Sequence, residues 1–368
     1  MGLSLITCHS SLFSYMKTFF GSRLVCPFCK TSLTLQVASR TGDEVIEGAL
    51  ECRDCRRSYP VRGGIPRFVK NDSYVSSFSF EWKRWQRTQF DTSARAASTE
   101  SFVNSTGSTP GELAGKLVLD AGCGTGRFMD VLAFAGAEVV GVDLSEAAEV
   151  AYKNLRERPN CHVVQADLMN LPFPPATFDF AYSIGVLHHT PDTRRAFMKV
   201  VEVLKPGGEV AIWVYPRHRL KDAFEYFPER ANQVIRQDVG YQIPRGWDGV
   251  IRPFAPLFDW STETASEFLR LISTRLPARW LYAACRAAAP LYYLFRIPVF
   301  YPLRLVIKIS MDPDPDWRVL DTFDWYSAHY QWKHTFPELG LWFREAGLTE
   351  IQICPRIVAM RGRLARKA

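Results

Sequence analysis

The chain lacks any long apolar run that is free of charge. Its most apolar region, residues 275–311, is interrupted by five arginines and one lysine, whereas a membrane-spanning helix needs about 20 consecutive apolar residues. The moderately apolar stretch 3–20 has no basic residue before it and contains several polar side chains. A secretory signal peptide has a basic start and an uninterrupted apolar segment. We therefore expect a cytoplasmic protein.

A strong excess of one charge is also missing. The 368 residues carry 45 Lys+Arg and 38 Asp+Glu, a formal charge of +7. Proteins that bind nucleic acid usually have far more positive charge clustered on one surface. The composition thus permits an anionic partner without requiring one. With 47% hydrophobic residues, the chain can bury a full core and smaller modules besides.

Four of the nine cysteines form two closely spaced pairs, CPFC and CRDC, at the ends of a segment that reads as two strands around a polar turn at Gly42. Two such pairs can bring four thiolates together around one zinc ion. A module this small also needs a bound metal or a cross-link to fold, because it has almost no core. We predict a zinc ribbon over 24–70, after an N-terminal tail at 1–23. Thiol pairs or a disulfide are the alternative, and four thiolates leave no open position for a catalytic metal. The predicted ligands are Cys26, Cys29, Cys52 and Cys55.

Downstream of the ribbon the pattern becomes that of an α/β domain. Residues 71–110 contain an aromatic cluster, FSFEWKRWQRTQF, which predicts a docking helix, and a Ser/Thr-rich stretch that predicts a helix or linker after it. Strand-like and helix-like segments then alternate through 111–216, which predicts a doubly wound, mostly parallel sheet. The alternation stops over 217–334, which we interpret as an inserted helical cap. It resumes in 335–368 with one helix and two short strands.

A glycine-rich turn follows the first strand of this domain, in the stretch LVLDAGCGTGRF. In doubly wound sheets this turn cradles the ligand. Dinucleotide sites place a third glycine where this chain has Arg127, and a pyrophosphate would be repelled by Asp120. The turn therefore favours a ligand that carries positive charge, such as a sulfonium or an ammonium group.

Several motifs in order, VLDAGCGTGRF, GVDLS, QADLMNLPFPPATFDFAYSIGVLHHTPD and VLKPGGEVAIWVYP, resemble the class I S-adenosylmethionine-dependent methyltransferases, specifically their small-molecule, type 11-like branch. The resemblance is strong over 112–216 and weak over 335–360. The CPxC module ending in YPVRGGIPRFV is similar to zinc ribbons found beside some methyltransferases. The resemblance implies a seven-stranded Rossmann-like sheet, S-adenosylmethionine as cofactor and structural zinc.

The resemblance also implies the residues that bind the donor. The glycines let the backbone approach its methionine end, Asp143 accepts hydrogen bonds from the ribose hydroxyls, and Asp167 with Leu168 holds the adenine. For each acid taken alone, a strand-end cap is the alternative. The expected donor-binding residues are Asp120, Gly122, Gly124, Gly126, Asp143, Leu144, Asp167, Leu168 and Ser183.

The methyl acceptor is less defined. The Asn-Pro-Pro-Tyr and Pro-Cys motifs typical of amide, adenine and cytosine methylation are absent at the end of the fourth strand, where YSIGVLHH stands instead. His188 is our candidate base, with His189 expected to face away; a helix cap plus a surface histidine is the alternative. The cluster DTFDWYSAHYQW, residues 321–332, supplies His329 and Tyr330 as candidate acceptor or base residues, or only the core of the cap.

We therefore expect methyl transfer to an oxygen, nitrogen or sulfur atom of a small-molecule or glycan-type acceptor. One alternative is an RNA methyltransferase that uses the ribbon's arginines on phosphates, and another is a non-enzymatic adaptor with a degenerate fold. The basic, acid-free region 275–311 either contacts an anionic membrane surface, where it could meet a lipid-linked acceptor, or covers the pocket with helices. The oligomeric state is not predicted.

Overall fold

The computed structural model describes residues 16–17, 23–42, 44–69, 76–239, 252–297, 300, 303 and 307–366. Most of the predicted tail at 1–23 and the first residues of the predicted docking segment, 71–75, lie outside the described residues. The same holds for parts of the predicted cap, including 240–251 and several positions between 298 and 306.

The N-terminal region forms a small antiparallel sheet. Its central strand pairs with three others, and the predicted turn at Gly42 joins the two longest strands with a φ of 60°. The two cysteine pairs lie in the turns at 26–29 and 52–55, so four thiols meet at one end of this sheet. Its strands are β1 (Met16–Lys17), β2 (Leu33–Thr41), β3 (Glu44–Cys52), β4 (Ser58–Arg62) and β5 (Ile65–Pro66).

The second sheet has seven strands in the order β11-β12-β10-β9-β6-β7-β8. Five strands are parallel, and β12 runs antiparallel to both neighbours. This arrangement confirms the predicted doubly wound, mostly parallel fold class. The strands are β6 (Leu117–Ala121), β7 (Glu138–Asp143), β8 (Cys161–Gln165), β9 (Phe178–Ile184), β10 (Leu204–Trp213), β11 (Leu348–Ile353) and β12 (Ala359–Leu364).

Helices cover both faces of the large sheet, because successive strand residues point to opposite sides. Val118 belongs to the core on one face and Leu119 to the core on the other. The helices are α1 (Ser76–Arg84), α2 (Ala97–Thr106), α3 (Arg127–Phe134), α4 (Ala147–Leu155), α5 (Thr193–Glu202), α6 (Arg219–Tyr226), α7 (Ala231–Val239), α8 (Ala255–Ser273), α9 (Ala278–Ala288), α10 (Leu291–Leu294), α11 (Pro315–Ser327) and α12 (Phe336–Glu345).

The ribbon is attached to the edge of the large sheet. Arg67 forms a parallel bridge with Gln165 in β8, and the Phe68 amide donates to the Gln165 carbonyl at 2.8 Å. The Arg67 guanidinium also donates to the Gln165 side chain at 2.7 Å and to Glu149 at 2.9 Å. Since one hydrophobic cluster contains both ribbon and sheet residues, the two modules share a core.

Helix α1 connects the cap to the sheet. Its Phe80, and Trp85 just after its last residue, pack against Phe323 of α11, with ring centroids 5.5 and 5.9 Å apart. The predicted docking helix thus contacts the cap and lies over the carboxyl ends of the parallel strands. Among the described residues, no helix is long and apolar enough to cross a membrane.

Candidate active site

The glycine turn after β6 has a backbone that only glycine adopts readily. Gly122, Gly124 and Gly126 have φ values of 96°, 51° and 85°. A Cβ on Gly122 would lie 2.3 Å from a methyl carbon of Val186, and one on Gly126 would lie 2.6 Å from a methyl carbon of Leu155. Backbone conformation therefore disfavours side chains at all three positions, and space also excludes them at Gly122 and Gly126.

Asp143, at the end of β7, fixes this turn. One carboxylate oxygen accepts from the Gly124 amide at 2.9 Å, and the other accepts from the Ser145 amide at 2.9 Å and hydroxyl at 2.7 Å. Burial raises the pKa of Asp143, and these hydrogen bonds oppose that shift. A carboxylate has about four acceptor positions, so Asp143 retains capacity to accept from a ligand hydroxyl.

Asp120, at the end of β6, is buried beneath the turn. Burial raises its pKa to about 7, and the facing Tyr182 hydroxyl partly offsets that rise. A positively charged ligand near Asp120 would stabilise the ionised form. The side chain of Ser183 points instead into the sheet, where its hydroxyl donates to the Ala121 carbonyl at 2.7 Å.

Two further predicted positions lie beyond the ends of β7 and β8. The Leu144 carbonyl accepts from the Gln165 side chain at 3.1 Å. Asp167 caps a short 3₁₀ turn by accepting from the Met169 amide at 2.9 Å, and Leu168 is buried beside it. The nine predicted donor-binding residues therefore cluster at the carboxyl ends of four neighbouring strands, where a doubly wound sheet binds its ligand.

The two histidines do not face opposite ways. His188 and His189 lie in a 3₁₀ turn, both are buried, and their ring centroids are 4.1 Å apart. Burial lowers the pKa of both, that of His188 well below its usual value, which favours their neutral forms. Neither ring nitrogen of His188 has a hydrogen-bond partner among the described residues, while His189 Nδ1 contacts the Tyr330 carbonyl at 2.8 Å.

The other two candidate catalytic residues lie further out. His329 is exposed, and its ring contacts that of Tyr330 with centroids 4.6 Å apart. Tyr330 is half-buried and stacks loosely on Trp332 at 6.4 Å. The backbone carbonyl of Tyr330 contacts Nδ1 of His189.

Glu81 of α1 is the main site residue that sequence reasoning missed. It is completely buried, and neither carboxylate oxygen has a hydrogen-bond partner among the described residues. Burial raises its pKa well above the usual value, and the nearby carboxylates of Asp324 and Asp321 add to the shift. One sequence feature could have identified Glu81: it is the single acid in residues 76–90, a segment rich in aromatic and basic residues.

We call Glu81, Asp321 and Asp324 the acid cluster. Burial raises the pKa of Asp321 to about 7, although it accepts from the Ser310 hydroxyl at 3.0 Å. Asp324 accepts from the Tyr215 hydroxyl at 2.6 Å. The three acids thus come from α1 and α11, which are remote in sequence.

The acid cluster adjoins the glycine turn. Next to Glu81, Trp82 lies 3.5 Å from the position that a Cβ of Gly124 would occupy. Arg127, which follows the turn, has its pKa lowered to about 10 by burial and by Arg356, and Asp321 opposes that shift. The donor cradle and the acid cluster therefore share one wall.

The four ribbon thiols fit a tetrahedral metal. Their sulfur atoms all lie within 4.8 Å of one another. The backbone N–H of Cys55 and the Thr31 hydroxyl lower the pKa of Cys52 to about 6, which favours the thiolate that zinc requires. The ion would be held by Cys26, Cys29, Cys52 and Cys55. Because four thiolates leave no open coordination position, its role would be structural.

Comparison with known proteins agrees with this geometry. Residues 119–212 match a family described as a methyltransferase domain, and residues 23–64 match one described as Trm112p-like protein. The chain therefore contains a methyltransferase domain of the S-adenosylmethionine-dependent class. More specifically, it combines a class I methyltransferase domain with an N-terminal Trm112p-like zinc ribbon.

Similar proteins differ in what they act on. An O-methyltransferase, resE of Aspergillus sclerotiorum, is 34% identical over 31% of this chain and 45% of its own length. A probable tRNA methyltransferase 9B of Mus musculus is 38% identical over 30% of this chain and 24% of its own. A solved S-adenosylmethionine-dependent methyltransferase of Mesorhizobium loti aligns over 30% of this chain and 52% of that chain, with 33% identity and a TM-score of 0.28. The chain thus spans less than half of these two relatives' length, and the acceptor class is not settled by them.

Proposed function

We propose that this protein transfers a methyl group from S-adenosylmethionine to an oxygen, nitrogen or sulfur atom of a small-molecule or glycan-type acceptor. We further propose that the acceptor presents an ammonium group to the acid cluster. When bound, S-adenosylmethionine supplies a methyl group already activated on a sulfonium, so the chain mainly has to align the acceptor and exclude water.

The observation that carries this proposal is the buried, unpartnered carboxyl of Glu81 beside Asp321 and Asp324. Leaving a buried polar group without a partner costs about 1 to 3 kcal/mol. Proteins retain such a cost in the free state at sites where a bound ligand supplies the missing partner. The completely buried Glu81 beside two further acids favours a ligand with positive charge, since its arrival would lower the raised pKa of Glu81 and of Asp321.

Other residues of the site fit supporting roles. The neutral imidazole of His188 can accept a proton if the acceptor must lose one. Tyr215 and Trp332 add aromatic walls, and the Trp332 amide donates to the His188 carbonyl at 2.9 Å. The predicted His329 and Tyr330 would then belong to the entrance rather than to the chemistry.

The test uses the purified full chain with methyl-labelled S-adenosylmethionine. Amines, amino sugars and neutral sugars are offered as acceptors, and label transfer is measured from pH 6 to 8, which spans the pKa of about 7 of Asp321. An acceptor with an ammonium group should bind more tightly as Asp321 ionises, so its KM should fall as pH rises. A preference for neutral sugars would contradict the proposal that the acceptor presents an ammonium group.

Glu81→Gln separates acceptor recognition from donor binding. It should raise the acceptor KM by roughly tenfold, because a charged hydrogen bond is worth about 1.5 to 3 kcal/mol, and leave donor affinity unchanged. Glu157→Gln, an exposed acid after α4, is the matched control. A loss of donor affinity in Glu81→Gln would instead assign the cluster to the amino-acid end of S-adenosylmethionine.

RNA as acceptor is the second candidate. It is favoured by the match of 23–64 to a Trm112p-like protein and by five exposed ribbon arginines. Binding through phosphates would weaken steeply with salt. Transfer of label to tRNA, lost in Arg56→Glu/Arg57→Glu, would support this candidate over a small molecule. A non-enzymatic adaptor, the remaining alternative, would show no label transfer to any acceptor, whether or not it bound the donor.

A further inference from the structure

Helix α8 buries its polar side. Asp259, Ser266, Arg270 and Ser273 are spaced by seven, four and three residues, which places them on one face of the helix, and all four are buried. Asp259 accepts from the amides of residues 220 and 221 at 2.9 and 3.0 Å. Arg270 donates to the carbonyl of residue 328 and Ser273 to that of residue 326, each at 2.7 Å. Hydrogen bonds to the backbone thus attach this helix to the rest of the cap.

The opposite side of α8 is apolar and faces outward. Leu257, Trp260, Phe268, Leu271 and Ile272 are 59, 66, 64, 60 and 57% exposed. Their spacing follows the helical repeat, so they form one stripe, which we call the α8 apolar face. No described residue covers it.

This arrangement reverses the usual one. A helix on the surface of a water-soluble domain turns its apolar stripe to the core and its polar side to solvent. Single exposed apolar residues are common, but a continuous stripe with two large aromatic rings marks an interaction site. The polar partners of Asp259 and Arg270 prevent the helix from rotating to bury its apolar face instead.

The charge next to this face indicates the partner. Residues 275–311 contain no acid, and the arginines at 275, 279, 286 and 296 are exposed. Trp280 and Tyr293 in the same region are 61 and 66% exposed. Glu267 of α8 is neutralised by Arg270 at 2.9 Å and Lys333 at 3.0 Å. Apolar and aromatic side chains flanked by arginine are the combination that binds the surface of an anionic bilayer.

We propose that the α8 apolar face, together with the basic region that follows it, docks onto an anionic membrane surface. The helix would lie in the plane of the headgroups, with Trp260 and Phe268 inserted into the apolar boundary. The arginines after α8 would contact lipid phosphates. This inference concerns a surface outside the donor site and does not depend on which acceptor is methylated.

The test is co-sedimentation of the full chain with vesicles. Two kinds are compared: phosphatidylcholine alone, and equal parts phosphatidylcholine and phosphatidylglycerol. The protein should partition onto the anionic vesicles, and added salt should weaken that partition. Failure to bind the anionic vesicles would overturn the proposal.

The variant Trp260→Glu/Phe268→Glu should reduce partition by at least about tenfold, since two large apolar groups no longer enter the bilayer. Its thermal unfolding should be unchanged, because both side chains face outward. Leu341→Glu, at a 59% exposed position on α12, is the matched control and should bind as the wild type does. Equal losses in both variants would contradict the assignment of the surface.

A second copy of the chain is the competing occupant. Sedimentation velocity without lipid distinguishes it: the proposal expects no association through this face. The competing result is a wild-type dimer that does not bind vesicles and that Trp260→Glu/Phe268→Glu dissociates. It would assign the α8 apolar face to a protein interface and overturn the membrane proposal.

Discussion

The imidazole of His188 lies against the phenol ring of Tyr215, with centroids 3.9 Å apart and planes inclined by 30°. The Tyr215 hydroxyl in turn donates to Asp324 at 2.6 Å. The histidine is thereby linked through one ring contact to the acid cluster. Neither of its ring nitrogens has a hydrogen-bond partner among the described residues.

His188→Phe tests the predicted base. The phenyl ring keeps the contact with Tyr215 but has no nitrogen, so turnover should fall by roughly 100-fold if proton transfer is required. Donor affinity and thermal stability should stay close to the wild type. The measurement is single-turnover label transfer, with His189→Phe as a comparison. A fully active His188→Phe would remove proton acceptance from its role.

Asp143→Ala should weaken S-adenosylmethionine binding by roughly 1 to 3 kcal/mol, because charged hydrogen bonds to the ribose are lost. Titration calorimetry with the free protein measures this directly. Asp130→Asn changes an acid of the surface pair with Arg158 and should leave affinity unchanged. Wild-type affinity in Asp143→Ala would exclude Asp143 from the donor site.

Asp321 should make stability depend on pH. Its pKa is raised by burial to about 7, above the unfolded value of about 3.9. Because the folded state favours the neutral form, Asp321 makes its full contribution to the free energy of unfolding below about pH 4. That contribution is lost as the pH rises through about 7. Asp321→Asn should therefore gain roughly 1 to 3 kcal/mol relative to the wild type between pH 5 and 8.

Urea unfolding at pH 5 and 8 measures this difference. Asp316→Asn, at an exposed position of the same helix, controls for the loss of negative charge on α11. An equal pH dependence in wild type and Asp321→Asn would show that Asp321 is ionised in the free protein.

The ribbon should contain about one zinc ion per chain by elemental analysis. Cys52→Ser should lose the metal and lower the unfolding temperature of the whole chain, because ribbon residues Leu24 and Leu50 belong to the same core as β6 and β7. Cys285→Ala, a buried cysteine in α9, should keep the metal. Full zinc content in Cys52→Ser would contradict the four-thiol site.

Local patterns predicted the fold well, and they predicted that the four ribbon thiols lie together. The glycine turn, the alternation of strands and helices and the cysteine pairs each lie within a short stretch of sequence, and each has a strict physical requirement. The helical layers on both faces of the sheet follow from the same alternation, whereas β12 is antiparallel to β11 because the short link between them contains no helix. These features therefore need no knowledge of distant contacts.

The acceptor side could not be predicted in this way. Glu81 becomes a site residue only because α1 packs against α11, and no local pattern encodes that contact. His188 and His189 were expected to diverge, as neighbours on an α-helix do, yet the 3₁₀ turn between Gly185 and Thr190 brings both rings inside. Helix α8 has an ordinary amphipathic repeat, and sequence does not reveal which side faces the core.

The bridge between Arg67 and Gln165 gives the ribbon a protective effect on the large sheet. Strand β8 is the last strand on its side, and an uncovered edge can pair with another chain. A fragment beginning after residue 70 would therefore expose backbone donors and acceptors that are occupied in the full chain. Removing the ribbon would yield a self-associating, aggregation-prone fragment in place of a smaller stable enzyme.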